Sequence, residues 1–289
     1  MADELERVFD IPYKEVDGNP LTLDLYYTGK PDDHPVLLWF HGGGWRVGHS
    51  RQAEEKILWP YAQAGLTVVT VNYRLSGEAA HPAQLEDALD ALAWLGRDDH
   101  GYRFDTDSVI VGGGSAGGHI AALVAVNHPL YRVAHGETAP WVKGAVALYP
   151  VVNPLAYDGA KLAQGAPAEG TFAAAHFERE GQLIQAGRQL LGDQPVHSPS
   201  AFLDSYRQLD AGDVPPVLIL HGSNDSDVPV AQSLLLYDTL RAQGIDVTLL
   251  LFGDADHGSP RFHRDVALAA TVAFASQSVR PTPVAHAQN

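Results

Sequence analysis

The chain has 289 residues, 45% of them hydrophobic, which is enough apolar material for the core of one large α/β domain or two small ones. Nineteen Lys and Arg against 35 Asp and Glu give a formal charge of −16, which opposes binding to nucleic acids and to anionic membrane surfaces. The absence of cysteine excludes disulfides, thiolate metal sites and a cysteine nucleophile. The acidic start MADELERVFD differs from a signal peptide, and no apolar run approaches the roughly 18 residues of a membrane span. These features predict a cytoplasmic protein.

Short apolar runs alternate with helical patterns along the chain, which is typical of βα units and a mainly parallel sheet. The first predicted strand, Leu21–Tyr27, alternates like a half-buried strand. Six continuous apolar runs follow, of which the first five are typical of fully buried strands and the last ends the sheet. In chain order these runs are Val36–Phe40, Thr67–Val71, Val109–Val111, Gly144–Leu148, Val217–Leu220 and Val247–Phe252.

Helical patterns lie between these strands and after the last one, and in Gln84–Leu95 the apolar residues recur at three-and-four spacing. The predicted helices are Ala53–Ala64, Gln84–Leu95, Val230–Ala242 and Phe262–Ala275. The segment at about 153–213 interrupts the alternation with many Ala, Gly and Gln residues and one helical stretch, Phe177–Leu191. We interpret this segment as a cap insertion over the carboxyl edge of the sheet. Residues 1–275 then form a single domain, and residues 276–289 form a flexible tail.

The strongest chemical signal is the G-x-S-x-G motif of Gly113–Gly117, centred on Ser115. Alone the motif is weak, but it directly follows the apolar run SVIV and directly precedes the helical run HIAALVAV. Small flanking residues let the backbone turn sharply and project a serine hydroxyl above the sheet. The alternative, a phosphate-binding glycine loop, would need a lysine or a G-x-G-x-x-G pattern with a later acid. Ser115 is therefore the predicted nucleophile.

A second glycine motif, His41-Gly42-Gly43-Gly44-Trp45, follows the buried run VLLWF. Three consecutive glycines lose much conformational freedom on folding, and bare backbone N–H groups that must approach a ligand closely would compensate for this. The motif therefore predicts an oxyanion hole.

A serine nucleophile needs a base and an orienting carboxylate, which in this chain order follow as Asp or Glu and then His. Asp225 and Asp227 lie in the loop after the run VLIL, and His257 follows the last strand within DADHG. Of the 14 histidines, only His257 combines this position with a following glycine. Spacing alone leaves both carboxylates open. The H-E-x-x-H pattern of a metal site is absent, so no catalytic metal is expected.

Several of these motifs, in this order, resemble the hormone-sensitive-lipase branch of the α/β-hydrolases and its feruloyl-esterase-like and acyl-carbohydrate-esterase-like relatives. They are HGGGW, NYRL, HPAQLEDALDALAWL, GGSAGGH, VLILHGSNDSDVP and DADHG, and the resemblance covers Leu21–Ala275. One departure is Gly114, where many hormone-sensitive-lipase-like members carry Asp. The resemblance implies an α/β-hydrolase fold with an eight-stranded, mostly parallel sheet, helices on both faces and a small helical cap.

The resemblance also implies a mechanism without a cofactor. Ser115 attacks a carbonyl while His257 takes its proton, and Asp225, the acid of the H-G-x-x-D pattern, orients the imidazole. Asp227 is instead expected to seat the next helix. The oxyanion would lie among the N–H groups of Gly43, Gly44 and Ala116, and Trp45 would contact the substrate.

Three functions remain compatible with this sequence. The first is a serine carboxylesterase that cleaves small-molecule short-chain acyl or aryl esters through an acyl-enzyme. The second is an amide hydrolase, either arylformamidase-like or a small peptidase, because the same triad cleaves amides. The third is a non-catalytic receptor, which would need a damaged triad. A homodimer is left open.

Overall fold

The computed structural model describes residues 4–52, 54–135, 139–153, 185–190 and 214–278. These residues contain eight strands, five α-helices and a further helical segment at residues 185–190. The strands are β1 (Leu5–Val16), β2 (Asn19–Thr28), β3 (Pro35–Phe40), β4 (Thr67–Val71), β5 (Asp105–Gly114), β6 (Val142–Leu148), β7 (Val217–Gly222) and β8 (Val247–Phe252). The helices are α1 (Leu58–Gln63), α2 (Ala83–Leu95), α3 (Ala116–His135), α4 (Ala231–Ala242) and α5 (Asp265–Ser278), and a 3₁₀ helix covers Pro260–His263.

The strands form one sheet in the order β1-β2-β4-β3-β5-β6-β7-β8. β2 is antiparallel to both of its neighbours, and all other adjacent strands are parallel. The predicted eight-stranded, mostly parallel sheet is thus confirmed. The carboxyl ends of β3, β5, β6, β7 and β8 all meet at one edge, where the loops that carry the candidate site emerge.

Helices cover both faces of the sheet, so the central strands are buried on both sides. Successive side chains of β3 enter different cores, since neighbouring residues of a strand point to opposite faces. Val36, Leu38 and Phe40 pack with residues of α2, α3 and α4, whereas Leu37 and Trp39 pack with residues of α1 and α5. This explains why the predicted strands there read as unbroken apolar runs.

The structure corrects several predicted boundaries. β1 was not predicted, because it is an edge strand with mostly exposed or half-buried residues and an irregular register against β2. The helix predicted from Ala53 begins only at Leu58, because Pro60 has no N–H and is tolerated only in the first turn of a helix. Residues 276–278, predicted to belong to the tail, continue α5, since the first helix-breaking residue, Pro281, comes later.

Part of the predicted cap is described. Residues 185–190 are helical, inside the predicted stretch Phe177–Leu191. The other residues of 154–213 and the tail from 279 onward lie outside the described residues. None of the helices in the described ranges combines the length and the apolar character needed to cross a membrane.

Candidate active site

Ser115 lies in the single-residue turn between β5 and α3. Its φ of 58° is in the left-handed region, which is unusual for a residue other than glycine and marks local strain. The turn is fixed by the Ser115 N–H, which donates to Leu148 O at 2.9 Å, and by Ser115 O, which accepts from the His119 N–H at 3.1 Å. A Cβ on Gly117 would overlap the Phe40 carbonyl oxygen, so the turn closes only with glycine there. The strand, turn and helix predicted around Ser115 are all present.

The glycine loop after β3 passes beside this turn. A Cβ on Gly42 would lie 3.0 Å from Gly114 O and 3.5 Å from Ser115 Cβ. Gly43 and Gly44 have φ angles of 114° and 60°, and a Cβ on Gly43 would overlap Val47 O. The loop therefore requires glycine at position 43 and brings its backbone close to the serine.

The loop is anchored from behind by buried side chains. The Tyr73 hydroxyl donates to His41 O at 2.8 Å, and the two rings stack with centroids 4.3 Å apart. Burial lowers the pKa of His41 to about 4, although its Nδ1 contact with the Gly42 carbonyl oxygen opposes that shift. His41 is therefore neutral near neutral pH and supports the loop without adding charge.

The Trp45 side chain, predicted to contact substrate, is only 1% exposed. Its ring packs edge-on against His119 with centroids 5.2 Å apart, within the core of the α2, α3 and α4 face. Trp45 lines the wall of the cavity in front of Ser115. Most of the Trp45 side chain therefore packs in the core behind the cavity wall.

Asp225 and His257 meet between the loops after β7 and β8. His257 Nδ1 lies 2.9 Å from Asp225 Oδ2, and the other carboxylate oxygen accepts the N–H groups of Asp227 and Val228 at 3.0 and 2.7 Å. His221 Nε2 lies 3.3 Å from the same Oδ2. The Asp225 carboxylate therefore takes part in three hydrogen bonds and has the His221 ring nitrogen, which bonds to Val228 O, beside it.

These contacts decide the charge of Asp225. Burial alone raises the pKa of this carboxyl, but the hydrogen bonds from His221 and His257, the charge of His257 and the Val228 N–H together hold the pKa well below its usual range. Asp225 is thus ionised at neutral pH and acts as an acceptor for His257 Nδ1–H. This contact leaves His257 Nε2 available as a base.

Asp227, the alternative acid, has a different position. Its backbone N–H donates to Asp225, and the residue lines the cavity. The N-cap of α4 is Val230, so Asp227 is not the N-cap of this helix, and its expected contribution through the helix dipole stays a prediction. Four residues separate Asp225 from Val230, so the turn that is hydrogen-bonded to the Asp225 carboxylate ends before α4 begins.

Two residues of the site were missed by the sequence analysis. Asp256 joins the loops, since its Oδ1 accepts from the Ser226 N–H, the Ser226 hydroxyl and the His257 N–H at 2.8, 2.9 and 2.8 Å. Tyr149, after β6, packs its ring against His257 with centroids 4.6 Å apart. A Cβ on Gly114 would lie 2.8 Å from the Tyr149 hydroxyl, so the tyrosine occupies the space that a larger residue at position 114 would need. The D-A-D-H sequence and the Tyr-Pro pair were visible, but neither motif indicates these contacts.

Ser115, His257 and the glycine loop open into one cavity of about 650 Å³. Its apolar wall includes Trp39, Ile57, Val47 and Val151, and Ala186 of the cap segment closes one side. Charged side chains at the cavity come from Arg46 and Asp227. Ala116 is fully buried next to Ser115. The cavity is large enough for a small ligand, and among the described residues no group of three or more His, Asp or Glu is placed to hold a metal ion.

Comparison with known proteins gives the family. Residues 23–240 match the model of the BD-FAE family. The probable carboxylic ester hydrolase LipM of Mycobacterium tuberculosis is 33% identical over 227 residues, which is 75% of this chain and 47% of that protein. An ethyl acetate hydrolase of Pseudomonas putida is 36% identical over 158 residues, 53% of this chain and 47% of that protein. The chain spans about half the length of these curated relatives.

Solved structures show the same fold. A truncated carbohydrate esterase from gut microbiota superposes with a TM-score of 0.76 at 19% identity and covers 96% of this chain and 97% of its own. Esterase B from Lactobacillus rhamnosis has a TM-score of 0.72 at 22% identity and covers 96% of this chain and 88% of its own. The resemblance drawn from the motifs is thus confirmed, and the chain belongs to the BD-FAE family and has the α/β-hydrolase fold.

Proposed function

We propose that this protein is a serine carboxylic-ester hydrolase that acts on short-chain acyl or aryl esters. The observation that carries the proposal is the Asp225–His257 hydrogen bond of 2.9 Å, made by a histidine that opens into the same cavity as the strained Ser115. An ionised carboxylate, an imidazole and a serine hydroxyl on one cavity are the groups that acyl transfer needs.

The reaction follows from these groups. His257 Nε2 accepts the proton of the Ser115 hydroxyl as Ser115 Oγ attacks the ester carbonyl carbon. The Gly43, Gly44 and Ala116 N–H groups stabilise the oxyanion of the tetrahedral intermediate. The alkoxide leaves as an alcohol with the proton from His257, and an acyl group remains on Ser115. Water, deprotonated by His257, then attacks this acyl group and releases the carboxylic acid.

The strained turn and the ionised acid both favour this chemistry. A serine in the left-handed region stays exposed at the tip of its turn, and its 9% exposure is directed at the cavity. Because Asp225 is ionised, it stabilises the imidazolium that forms during attack. The names of the matched relatives, a carboxylic ester hydrolase and an ethyl acetate hydrolase, favour an ester over an amide as the substrate.

The cavity can accommodate a small acyl group together with an alcohol group. Its volume of about 650 Å³ is in the middle of the range of small-molecule sites, and its apolar lining suits an acyl chain and an aromatic alcohol. The described cap segment contributes Ala186, a small residue, to the cavity wall. We therefore expect acetate and butyrate esters to be cleaved faster than long-chain esters.

A substrate panel tests this proposal. kcat/KM should be measured on p-nitrophenyl acetate, butyrate, octanoate and laurate, on aryl acetates, acetylated sugars and feruloyl esters, and on N-formylkynurenine as the amide. We expect the highest values for acetate or butyrate esters and little turnover of the amide. The Ser115→Ala variant provides the blank for each substrate. Faster cleavage of laurate, activation by micelles or a preference for N-formylkynurenine would contradict the proposal.

A further inference from the structure

A second histidine, His221, contacts the acid of the proposed triad. It is the penultimate residue of β7 and is fully buried. Its Nε2 lies 2.9 Å from Val228 O and 3.3 Å from Asp225 Oδ2, and its Nδ1 lies 2.6 Å from the Ser233 hydroxyl. The ring thus connects a sheet strand, the acid loop and the first turn of α4.

These contacts fix the tautomer of His221. A carbonyl oxygen and an ionised carboxylate oxygen only accept hydrogen bonds, so the Nε2 that faces both must carry a hydrogen. In the neutral ring Nδ1 is then an acceptor, and the Ser233 hydroxyl donates to it. Ser233 therefore holds His221 in the tautomer that donates towards Asp225.

The same geometry determines how Asp225 is held. Oδ1 is held by the backbone N–H groups of its own loop, at Asp227 and Val228. Oδ2 accepts the His257 Nδ1–H, and it also lies 3.3 Å from His221 Nε2, whose single N–H makes its shorter contact of 2.9 Å with Val228 O and faces Oδ2 as a secondary donor. Of these four donors, only His221 belongs to a strand of the sheet and contacts a helix. It links the acid to the rigid part of the fold.

We propose that His221, oriented by Ser233, is a positioning residue that fixes the Asp225 carboxylate and limits its basicity towards His257. This inference rests on the proposed function of the Ser115 site. An N–H donor to Oδ2 withdraws negative charge from the oxygen that faces His257. Without it, more negative charge remains on the Asp225 oxygen that faces His257.

The other charged and titratable groups around this pair must be considered in any pH profile. The Tyr149 ring packs on His257, and the Asp256 carboxylate accepts the His257 backbone N–H. Asp227 and Arg46 line the cavity that His257 faces. None of these groups changes in the variants below, so a shift between variants reports on His221.

The experiment compares four variants on p-nitrophenyl acetate from pH 5 to 9, with the active fraction counted by titration with a phosphonate ester. His221→Phe removes both ring nitrogens at similar volume. We expect kcat per active site to fall about ten- to hundred-fold because the Asp225 carboxylate is no longer held in place, and the size of the loss is that of one hydrogen bond to a charged group. KM should stay within about two-fold, and the acidic limb of the kcat/KM profile should move to higher pH.

The other variants distinguish the loss of the N–H donor from the loss of the imidazole ring. His221→Gln can place an amide N–H towards Asp225 Oδ2, and it should restore most of kcat and the original acidic limb. Ser233→Ala should lower kcat less than His221→Phe and shift the limb in the same direction. His128→Phe removes another fully buried histidine, whose Nδ1 contacts the Ala125 carbonyl oxygen on α3, and should leave kcat unchanged.

Three results would overturn the inference. One is a His221→Phe enzyme with wild-type kcat per active site and an unshifted limb, whatever its stability. A second is His221→Gln as impaired as His221→Phe. If His221→Phe does not fold, wild-type kinetics of Ser233→Ala would overturn it instead. Turnover by Ser115→Ala would refute the proposed function itself, and it is measured in the same series to keep the two failures distinct.

Discussion

The two halves of the candidate site are held in place by different physical means. Around Ser115 the chain is fixed by backbone packed against backbone. The serine adopts a left-handed φ of 58°, Gly117 lies against the Phe40 carbonyl, and Gly43 lies against Val47 O. Such contacts depend on the absence of side-chain atoms, so adding a single methyl group is enough to disturb them.

Around Asp225 and His257 the chain is fixed by polar side chains. Asp256 receives three hydrogen bonds, and the two from Ser226 join the loops after β7 and β8. The Asp225 carboxylate is hydrogen-bonded by the N–H groups of Asp227 and Val228 and by His257 Nδ1, and His221 Nε2 lies 3.3 Å from it. Here a variant does harm by removing a donor or an acceptor, not by adding volume. The comparison teaches that the nucleophile side should be sensitive to size and the acid–base side to polarity.

The largest effect that sharpens this comparison is expected on the acid–base side. Asp225→Asn keeps the size of the side chain but removes its charge, which favours the wrong tautomer of His257. We expect kcat to fall on the order of ten-thousand-fold, the effect of this substitution in a Ser-His-Asp triad. Asp227→Asn is the matched control in the same loop and should retain most of its activity. A reversed ranking of the two kcat values, measured at saturating substrate on folded protein, would assign the acid to Asp227.

The next effect is expected on the nucleophile side and comes from size alone. Gly43→Ala forces a methyl group onto Val47 O at a φ of 114°, displaces the loop and should lower kcat about hundred- to thousand-fold, the effect of losing one oxyanion donor. KM should change little, because the oxyanion exists only in the transition state.

Two control glycines test whether space decides the outcome. Gly44 has a φ of 60° and its nearest neighbour would lie 3.8 Å from a new Cβ, so Gly44→Ala should lose less activity. Gly253, in the loop after β8, has no atom within 4 Å of a new Cβ, and Gly253→Ala should behave like wild type. Equal losses in all three variants, or a change in KM alone, would count against an oxyanion loop fixed by packing.

The smallest expected effect is a difference between the two halves in how their contributions to stability respond to acid. The pKa of His41 is lowered to about 4 by burial, so its contribution to stability is complete above the unfolded value of about 6.5 and is lost as the pH falls from there towards 4. The pKa of Asp225 is also held low, so its contribution is complete above its unfolded value of about 3.9 and is lost only below that pH. Mild acid should therefore weaken the nucleophile side first.

Denaturant unfolding from pH 7.5 to 4.5 measures this difference. His41→Gln should flatten the slope of the free energy of unfolding against pH by up to about 1.4 kcal/mol per pH unit, the value for one proton. A slope that is the same in wild type and His41→Gln would show that His41 does not take part in the acid response.

The residues proposed to carry the chemistry could be picked out from the sequence because they occur in short motifs at the ends of strands. Ser115, Asp225 and His257 each follow an apolar run, and parallel strands bring their carboxyl ends to one edge of the sheet. The contacts of His221 with Ser233 and of Asp256 with Ser226 were not predictable, because they depend on how two loops fold against each other. The hydrophobic periodicity of a sequence carries no information about such a contact.

The secondary-structure elements likewise divide into those that could be predicted from the sequence and those that could not. Buried strands such as β3 and β4 were found within one residue of their bounds because both faces are apolar. β1 was missed because a half-exposed edge strand has little apolar pattern, and the start of α1 was misplaced because a helical pattern continued through Pro60. Sequence patterns thus predicted the elements that are buried in the core more accurately than those at its margin.

The central claim, that Ser115 is the nucleophile of an ester hydrolase, is tested most directly by covalent labelling combined with turnover. The native chain should take up one fluorophosphonate per molecule, mapped by peptide mass spectrometry to Ser115 alone, and Ser115→Ala should take up none. The same variant should remain folded and lose on the order of a million-fold in kcat on p-nitrophenyl acetate. Labelling at another residue, or a Ser115→Ala protein that still turns over the ester, would contradict the account.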